Sequence, residues 1–245
     1  MTPKKGSLKT KGVVTAAFAV IIATGMISSA RLVRAHDDQG GDQSEEARIH
    51  RGLVIAPVHL NLEGKDRGLV GLGSYWVNAV ADCNGCHSAG PATEYIVPTG
   101  NPYFLSPPFS GKQQINPATY LGGGRDFGPF PGPPFPSIPH LYSRNLTPDH
   151  TGLPVGGRTF EEFRDIMRHG TDFDHLHSNC TAGPGNPPNC LVAPFNGQVL
   201  QVMPWPVYEN MTGHDLRAIY EYLKAVPCNP GPNIEGAPYL QNTCD

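Results

Sequence analysis

Two cysteines three positions apart, with a histidine directly after the second, occur once in this chain, as Cys83-Asn84-Gly85-Cys86-His87. This C-x-x-C-H pattern is typical of covalent c-type haem attachment. Thiols at this spacing reach the two vinyl groups of one haem, and the adjoining histidine presents a ring nitrogen to the iron. We therefore predict one haem c, covalently held through Cys83 and Cys86, with His87 as the proximal iron ligand.

Three other interpretations of the cysteine pair compete with this one. A thioredoxin-like redox pair needs a strand before the motif and a helix after it, whereas here a helical pattern precedes the motif and Pro91 soon follows. A zinc site needs a second pair at similar spacing, and Cys180 and Cys190 are ten positions apart. The third alternative is a plain structural disulfide within the motif.

The first 35 residues are organised like an export signal. A lysine-rich start is followed by an apolar stretch at 13–27 and by Val33-Arg34-Ala35, which a signal peptidase can cleave. We predict a signal peptide at 1–35 and a periplasmic protein, because c-type haem attachment takes place outside the cytoplasm. The alternative is an uncleaved anchor and membrane association, since residues 12–30 come close to the length that spans a bilayer.

Charge and composition narrow the class of partner. Without residues 1–35 the chain keeps 12 basic and 21 acidic residues, a net charge of −9, so nucleic acid is a poor partner. Residues 36–51 are predicted to be a flexible acidic leader, and 52–245 a single mono-haem domain. The 29 glycines and 26 prolines predict that much of this domain is loop and turn.

A haem that transfers electrons needs a sixth iron ligand, and methionine supplies it in high-potential proteins. Met203 precedes Pro204 and Trp205 in a stretch without helical pattern, where a rigid loop can aim its side chain. Met167 lies instead in the apolar stripe of a predicted helix, and Met211 directly before the last helix. We predict that Met203 is the ligand, with Met167, Met211, a histidine or an open site as alternatives.

Hydrophobic periodicity predicts three helices. The first spans 66–81 and delivers the motif at its end. The second spans 160–170 and opens with a capping box of Thr159 and Glu162. The third spans 212–225, with Thr212 and Asp215 as its cap. We expect the first and last helices to meet through two apolar faces, namely Leu69, Trp76 and Val80 on one and Leu216, Tyr220 and Leu223 on the other.

An ordered set of motifs extends over residues 66–90 and 140–227. Besides the cysteine motif, they are Ser143-Arg144-Asn145-Leu146-Thr147-Pro148-Asp149, Thr151-Gly152, the helix at 160–170, Met203-Pro204-Trp205 and the stretch from Asp215 to Leu223. With this set the chain resembles the cytochrome c subunits of periplasmic alcohol and molybdenum-containing dehydrogenases. That resemblance implies an all-α class I cytochrome c fold, a His/Met haem, and an electron carrier rather than an enzyme.

The resemblance also suggests roles for three further residues. Arg144 and Asn145 are expected to donate hydrogen bonds to a haem propionate or to fix the methionine loop, unless they only form a turn. Trp205 is expected to pack against the haem edge, or to serve as ordinary core. These three complete the predicted cofactor-binding set with Cys83, Cys86, His87 and Met203, of which His87 and Met203 bind the metal.

Long Pro/Gly-rich insertions at 91–140 and 171–202 depart from the family pattern. The cysteines outside the motif are expected to form two local disulfides, Cys180–Cys190 and Cys228–Cys244. A polar cluster at 172–177, with two aspartates and two histidines, is interpreted as a solvated loop rather than a metal site.

The function predicted from these features is outer-sphere electron transfer in the periplasm. Electrons would come from a dehydrogenase subunit and pass to another cytochrome or an oxidase of the respiratory chain. The alternative is a haem c enzyme, a peroxidase or oxidase, or a gas sensor, with an open or displaceable sixth ligand.

Overall fold

The computed structural model describes residues 44–90, 92–96, 101–102, 114–128, 140–181, 185 and 190–245. Helices and loops dominate this part of the chain, in agreement with the predicted all-α class. Its β-structure is limited to isolated bridges and one parallel pair of two-residue strands, β1 at Asn179–Cys180 and β2 at Leu191–Val192. The helices are α1 at Glu45–Ile55, α2 at Arg67–Tyr75, α3 at Cys83–His87, α4 at Phe160–His169, α5 at Trp205–Tyr208 and α6 at Gly213–Ala225.

Shorter turns complete the backbone. A π-helical turn at Trp76–Val80 continues α2, and a 3-10 turn lies at Pro238–Leu240. One turn at Pro154–Gly157 has left-handed φ and ψ at its two central residues. The chain divides after Ala47 into two units, of which 48–245 is the larger.

Helix α1 begins inside the segment 36–51 that the sequence predicts to be a flexible leader. The acidic, polar composition of 36–46 suggested mobility, but Ser44 accepts a hydrogen bond from the Ala47 amide at 3.1 Å and starts a helix. Further along α1, Gly52 lies so close to α2 that a Cβ on it would be 1.9 Å from the Gly71 carbonyl oxygen. Helix α1 therefore covers the end of the segment 36–51 and packs against α2.

Helices α2 and α6 cross at a second close backbone approach. Asp66 caps α2 by accepting from the amides of Gly68 and Leu69. A Cβ on Gly73 would lie 1.9 Å from the Ala218 carbonyl oxygen on α6. Only a residue without a side chain fits there, so Gly73 sets the distance between the two helices.

The predicted apolar face of α6 is confirmed, whereas that of α2 is displaced by about one residue. Leu216, Tyr220 and Leu223 are all buried. Along α2 and the π turn that follows it, Val70, Leu72 and Val77 are buried, while Val80 is 52% exposed. The glycines that make the closest contacts have no hydrophobic signal, and the π turn after Tyr75 rotates Val80 away from the core.

A buried hydrogen-bonded triad fastens the crossing to a loop from the 91–140 insertion. The Tyr120 hydroxyl donates to Asn78 Oδ1 at 2.5 Å, and the amide of Asn78 donates to the Tyr222 hydroxyl at 3.1 Å. The two tyrosine hydroxyls are 2.6 Å apart. Burial raises the pKa of both tyrosines above the usual range, so each remains a neutral hydroxyl.

Helix α4 has the predicted capping box, with Thr159 and Glu162 each bonded to the other's backbone amide. Both predicted disulfides, Cys180–Cys190 and Cys228–Cys244, are confirmed. The second holds the C-terminal tail beside the end of α6.

The described residues contain no helix long and apolar enough to cross a membrane. The predicted signal at 1–35, the leader at 36–43 and parts of both insertions lie outside the described residues.

Candidate functional site

The two motif thiols lie on α3, a helical segment that covers the motif itself. Asp82, directly before it, has a φ of 47° and turns the chain sharply from the π turn into α3. Cys83 and Cys86 both have free thiols, and Cys86 is exposed. The structural disulfide considered for this pair is therefore absent, and both sulfurs are available for bonding.

The acidity of these thiols disfavours a redox-active pair. Burial, helped by the Asp82 carboxylate, raises the pKa of Cys83 to about 12. Burial also raises the pKa of Cys86. Reactive dithiols need a thiolate and therefore a lowered pKa. The environment of this pair therefore does not activate the thiols for disulfide exchange.

His87 is fixed at two points. Its Nδ1 lies 2.7 Å from the Arg144 carbonyl oxygen, and its own carbonyl accepts from the Gly123 amide at 2.8 Å. Burial lowers the pKa of the imidazole, so the neutral ring prevails at neutral pH. A neutral ring that donates from Nδ1 keeps the lone pair on Nε2 for a metal.

The loop 121–125, which lies within the predicted insertion at 91–140, forms hydrogen bonds with the motif. The Leu121 amide donates to Asn84 Oδ1 at 2.9 Å, and the Arg125 guanidinium donates to the Gly85 carbonyl. A Cβ on Gly123 would lie 2.6 Å from the Arg144 carbonyl carbon. Sequence analysis missed these residues, although the run of three glycines at 122–124 marks a close backbone approach.

The structure brings Arg144 to His87 through its backbone and directs its side chain elsewhere. The guanidinium lies 3.0 Å from Asp172 and 3.1 Å from Asp174, and its carbon is 4.9 Å from the centre of the Tyr239 ring. Asp172 is buried and ion-paired, so the prediction of a solvated loop at 172–177 is wrong for this residue. The segment 172–177 is polar in composition, but Arg144, the ion-pair partner of Asp172, lies 28 positions away in sequence.

Asn145 serves the turn and the C-terminal tail. Its Oδ1 accepts from the Thr147 amide and hydroxyl at 3.0 and 2.8 Å, and its Nδ2 donates to the Asn229 carbonyl at 2.8 Å. These contacts fit the alternative of a turn residue. Hydrogen bonds from Arg144 or Asn145 to a propionate stay a prediction.

Met203 lies in the loop that leads into α5, and Trp205 is the first residue of that helix. The Trp205 indole donates to the Leu200 carbonyl at 3.2 Å, and a Cβ on Gly170 would touch its ring at 2.4 Å. Met203 packs against the same hydrophobic cluster as Cys83. Just beyond it, the Tyr208 hydroxyl donates to the Ala81 carbonyl at 3.3 Å, which brings α5 next to the motif.

The zinc alternative receives no support from this arrangement. Within the described ranges, no group of three or more His, Cys, Asp or Glu side chains is placed to hold a metal ion. The donor set at the motif, two free thiols and one oriented neutral imidazole, is the set that a covalently attached haem requires.

Comparison with known proteins points the same way. The chain is similar to the cytochrome c subunit of the quinone alcohol dehydrogenase of Gluconacetobacter polyoxogenes and to that of Komagataeibacter europaeus. Each is 26% identical over 157 residues, or 64% of this chain. The match covers 22% of the length of each relative.

No family model and no solved structure matches the chain. The comparisons thus support a cytochrome c-like relationship over part of the chain. The dehydrogenase complex that their names describe is a property of those two proteins.

Proposed function

We propose that this chain is a mono-haem cytochrome c of the class I type that transfers electrons in the periplasm. Cys83 and Cys86 would hold the haem covalently, and His87 and Met203 would bind its iron. The observation that carries this proposal is the geometry of α3: two free cysteines next to an imidazole whose Nδ1 is hydrogen-bonded to a carbonyl oxygen.

The bound haem would supply an iron that cycles between ferrous and ferric without making or breaking bonds to a substrate. The residues of this chain hold it in place. Gly123 and Arg144 fix the backbone and ring of His87, and Cys83 and Met203 both pack against the hydrophobic cluster that contains Val77 and Leu216. A rigid site favours electron transfer, because little has to move between the two oxidation states.

The proposed electron donor is a dehydrogenase subunit, and the acceptor another cytochrome or an oxidase. Support for the donor comes from the two relatives, which are subunits of a quinone alcohol dehydrogenase by their names. The periplasmic location rests on the signal-like sequence at 1–35 and on the two disulfides, which persist in oxidising compartments.

The visible spectrum of the haem-loaded full chain tests this proposal. Wild type, Met203→Ala and Met211→Ala are compared in the ferric and ferrous states. We expect a weak red band in the ferric wild type that Met203→Ala abolishes and Met211→Ala retains. Covalent attachment is checked separately by the absorbance of the denatured, pyridine-treated protein, which Cys83→Ser and Cys86→Ser together should abolish.

A high-spin ferric spectrum in the wild type, unchanged by Met203→Ala and altered by added cyanide or peroxide, would contradict the carrier function. It would indicate an open sixth position, and the enzyme and sensor alternatives would then explain the protein better. Loss of the red band in Met211→Ala alone would assign the ligand to Met211 instead.

A further inference from the structure

Ion pairs of the Arg144 side chain join the residues that support His87 to those that support Met203. On the histidine side, the Arg144 carbonyl accepts from Nδ1 of the ring at 2.7 Å. The guanidinium of the same residue bonds Asp172 Oδ1 at 3.0 Å. The side chain of Asp172 is 3% exposed and that of Arg144 is 18% exposed, so the pair is largely shielded from water.

Asp172 is itself built into the segment that leads to Met203. Its amide donates to the Gln198 carbonyl at 3.3 Å, and the neighbouring Thr171 and Val199 form a bridge. The Leu200 amide donates to the Gly170 carbonyl at 2.7 Å. The backbone that carries Asp172 therefore also holds residues 198–200.

The rest of the path to Met203 is local. The Leu200 carbonyl accepts from the Trp205 indole, and the Met203 amide donates to the Gln201 carbonyl at 2.7 Å. The loop between Leu200 and Trp205 is thus closed by its own hydrogen bonds. Hydrogen bonds therefore connect the 198–200 segment to the loop that carries Met203.

We propose that the Arg144–Asp172 ion pair is a positioning element that couples the support of His87 to the support of Met203. It fixes the Arg144 carbonyl, which orients His87, relative to the segment 198–200, which leads to Met203. This inference rests on the proposed function, since it assumes that both residues bind the iron. Arg144 and Asp172 act through other residues and need no contact with the cofactor.

Shielding from water makes this pair different from its neighbour. Asp174 bonds the same guanidinium, but its side chain is 38% exposed and also pairs with Arg158. An exposed pair contributes little, whereas loss of one partner of a buried pair leaves an uncompensated charge. Asp174→Asn is therefore the matched control for Asp172→Asn.

The experiment measures both sides of the site in the haem-loaded full chain. Imidazole binding to the ferric protein reports how firmly Met203 is held, because imidazole competes for its position. Hydrogen exchange of the His87 Nδ1 proton and of the Leu200 amide, followed by NMR, reports the two supports. We expect Asp172→Asn to tighten imidazole binding about tenfold and to speed both exchange rates, whereas Asp174→Asn stays within about twofold of wild type.

Arg144→Lys provides a second test that leaves the buried carboxylate with a positive partner. A single ammonium does not reproduce the planar fork that meets both carboxylates, so we expect a smaller change in the same direction. This variant decides the matter if Asp172→Asn does not fold.

The outcomes separate the two proposals. If the wild type shows methionine ligation but Asp172→Asn and Arg144→Lys behave like Asp174→Asn, the coupling is refuted and the carrier function stands. Tighter imidazole binding together with an unchanged exchange rate of the His87 Nδ1 proton also refutes the coupling. If the wild type already binds imidazole as tightly as Met203→Ala does, the proposed ligation fails and the coupling fails with it.

Discussion

Replacement of Gly73 by alanine tests the crossing of α2 and α6, on which the position of the motif depends. The added Cβ would lie 1.9 Å from the Ala218 carbonyl oxygen and 2.7 Å from the Cβ of Tyr222. An ordinary contact begins at 3.4 Å, so the helices have to separate by about 1.5 Å. The atom in the way belongs to the backbone of a helix and cannot rotate aside.

The free-energy cost follows from two opposing effects. Overpacking of this kind costs up to about 3 kcal/mol, and the better helix propensity of alanine returns about 1 kcal/mol. We expect a net loss of about 2 kcal/mol in the free energy of unfolding, which corresponds to a fall in Tm of about 4–8 °C for a chain of this size.

Guanidinium denaturation of the disulfide-bonded full chain, followed by far-UV circular dichroism, measures this loss. Gly213→Ala on α6 is the matched control, because a Cβ there meets no atom within 4 Å. We expect the control to equal or slightly exceed the wild type in stability. If Gly73→Ala is as stable as Gly213→Ala, the close approach of the two helices does not exist.

Three further predictions concern the supports of the site. Tyr120→Phe removes two buried hydrogen bonds and should lower the free energy of unfolding by about 1–2 kcal/mol in chemical denaturation. Thr159→Ala should cost about 1 kcal/mol through loss of the helix cap. It should also raise the pKa of Glu162 part of the way to its usual value of 4.5, as read by carboxyl NMR, because the backbone bond that chiefly lowers this pKa remains. Joint replacement of Cys228 and Cys244 by serine opens a loop of 16 positions and should cost about 3 kcal/mol in the same denaturation assay.

Each of these has an outcome that would contradict it. Tyr75→Phe is the control for the tyrosine, since its hydroxyl has no hydrogen-bond partner among the described residues, and equal losses in the two variants would refute the buried triad. A Glu162 pKa unchanged in Thr159→Ala would mean that the capping box does not form. In the wild type, the contribution of Glu162 to stability is present above pH 4.5 and is lost as the pH falls through the lowered pKa. For the disulfide, wild-type stability of the double serine variant would show that the tail adds nothing.

The elements that sequence analysis predicted well have signals within one turn or one short loop. The capping box of α4 lies within four residues, and the apolar stripe of α6 within eight. Both disulfides join cysteines that are neighbours in the order of the chain. Such features depend on helical periodicity and on loop closure, and both can be read from residue spacing in the sequence.

The predictions that needed correction depend on contacts between distant segments. The buried face of α2 is centred on Gly73, and glycine has no hydrophobicity to mark it. Asp172 looks like a loop residue until Arg144 is brought beside it. Helix α1 brings Gly52 against the backbone of Gly71, and neither glycine marks this contact by its hydrophobicity. Close backbone approach and burial of an ion pair are properties of two segments together.

By itself, the sequence predicted the chemistry of the site, because Cys83, Cys86 and His87 lie within five residues and their spacing is typical of c-type haem attachment. Only the tertiary structure decided how that chemistry is supported. It placed the Arg144 carbonyl within hydrogen-bond distance of His87 Nδ1 and the 121–125 loop against the motif. A hydrogen bond across 57 positions leaves no local pattern, since the free energy that forms it comes from the packing of the whole core.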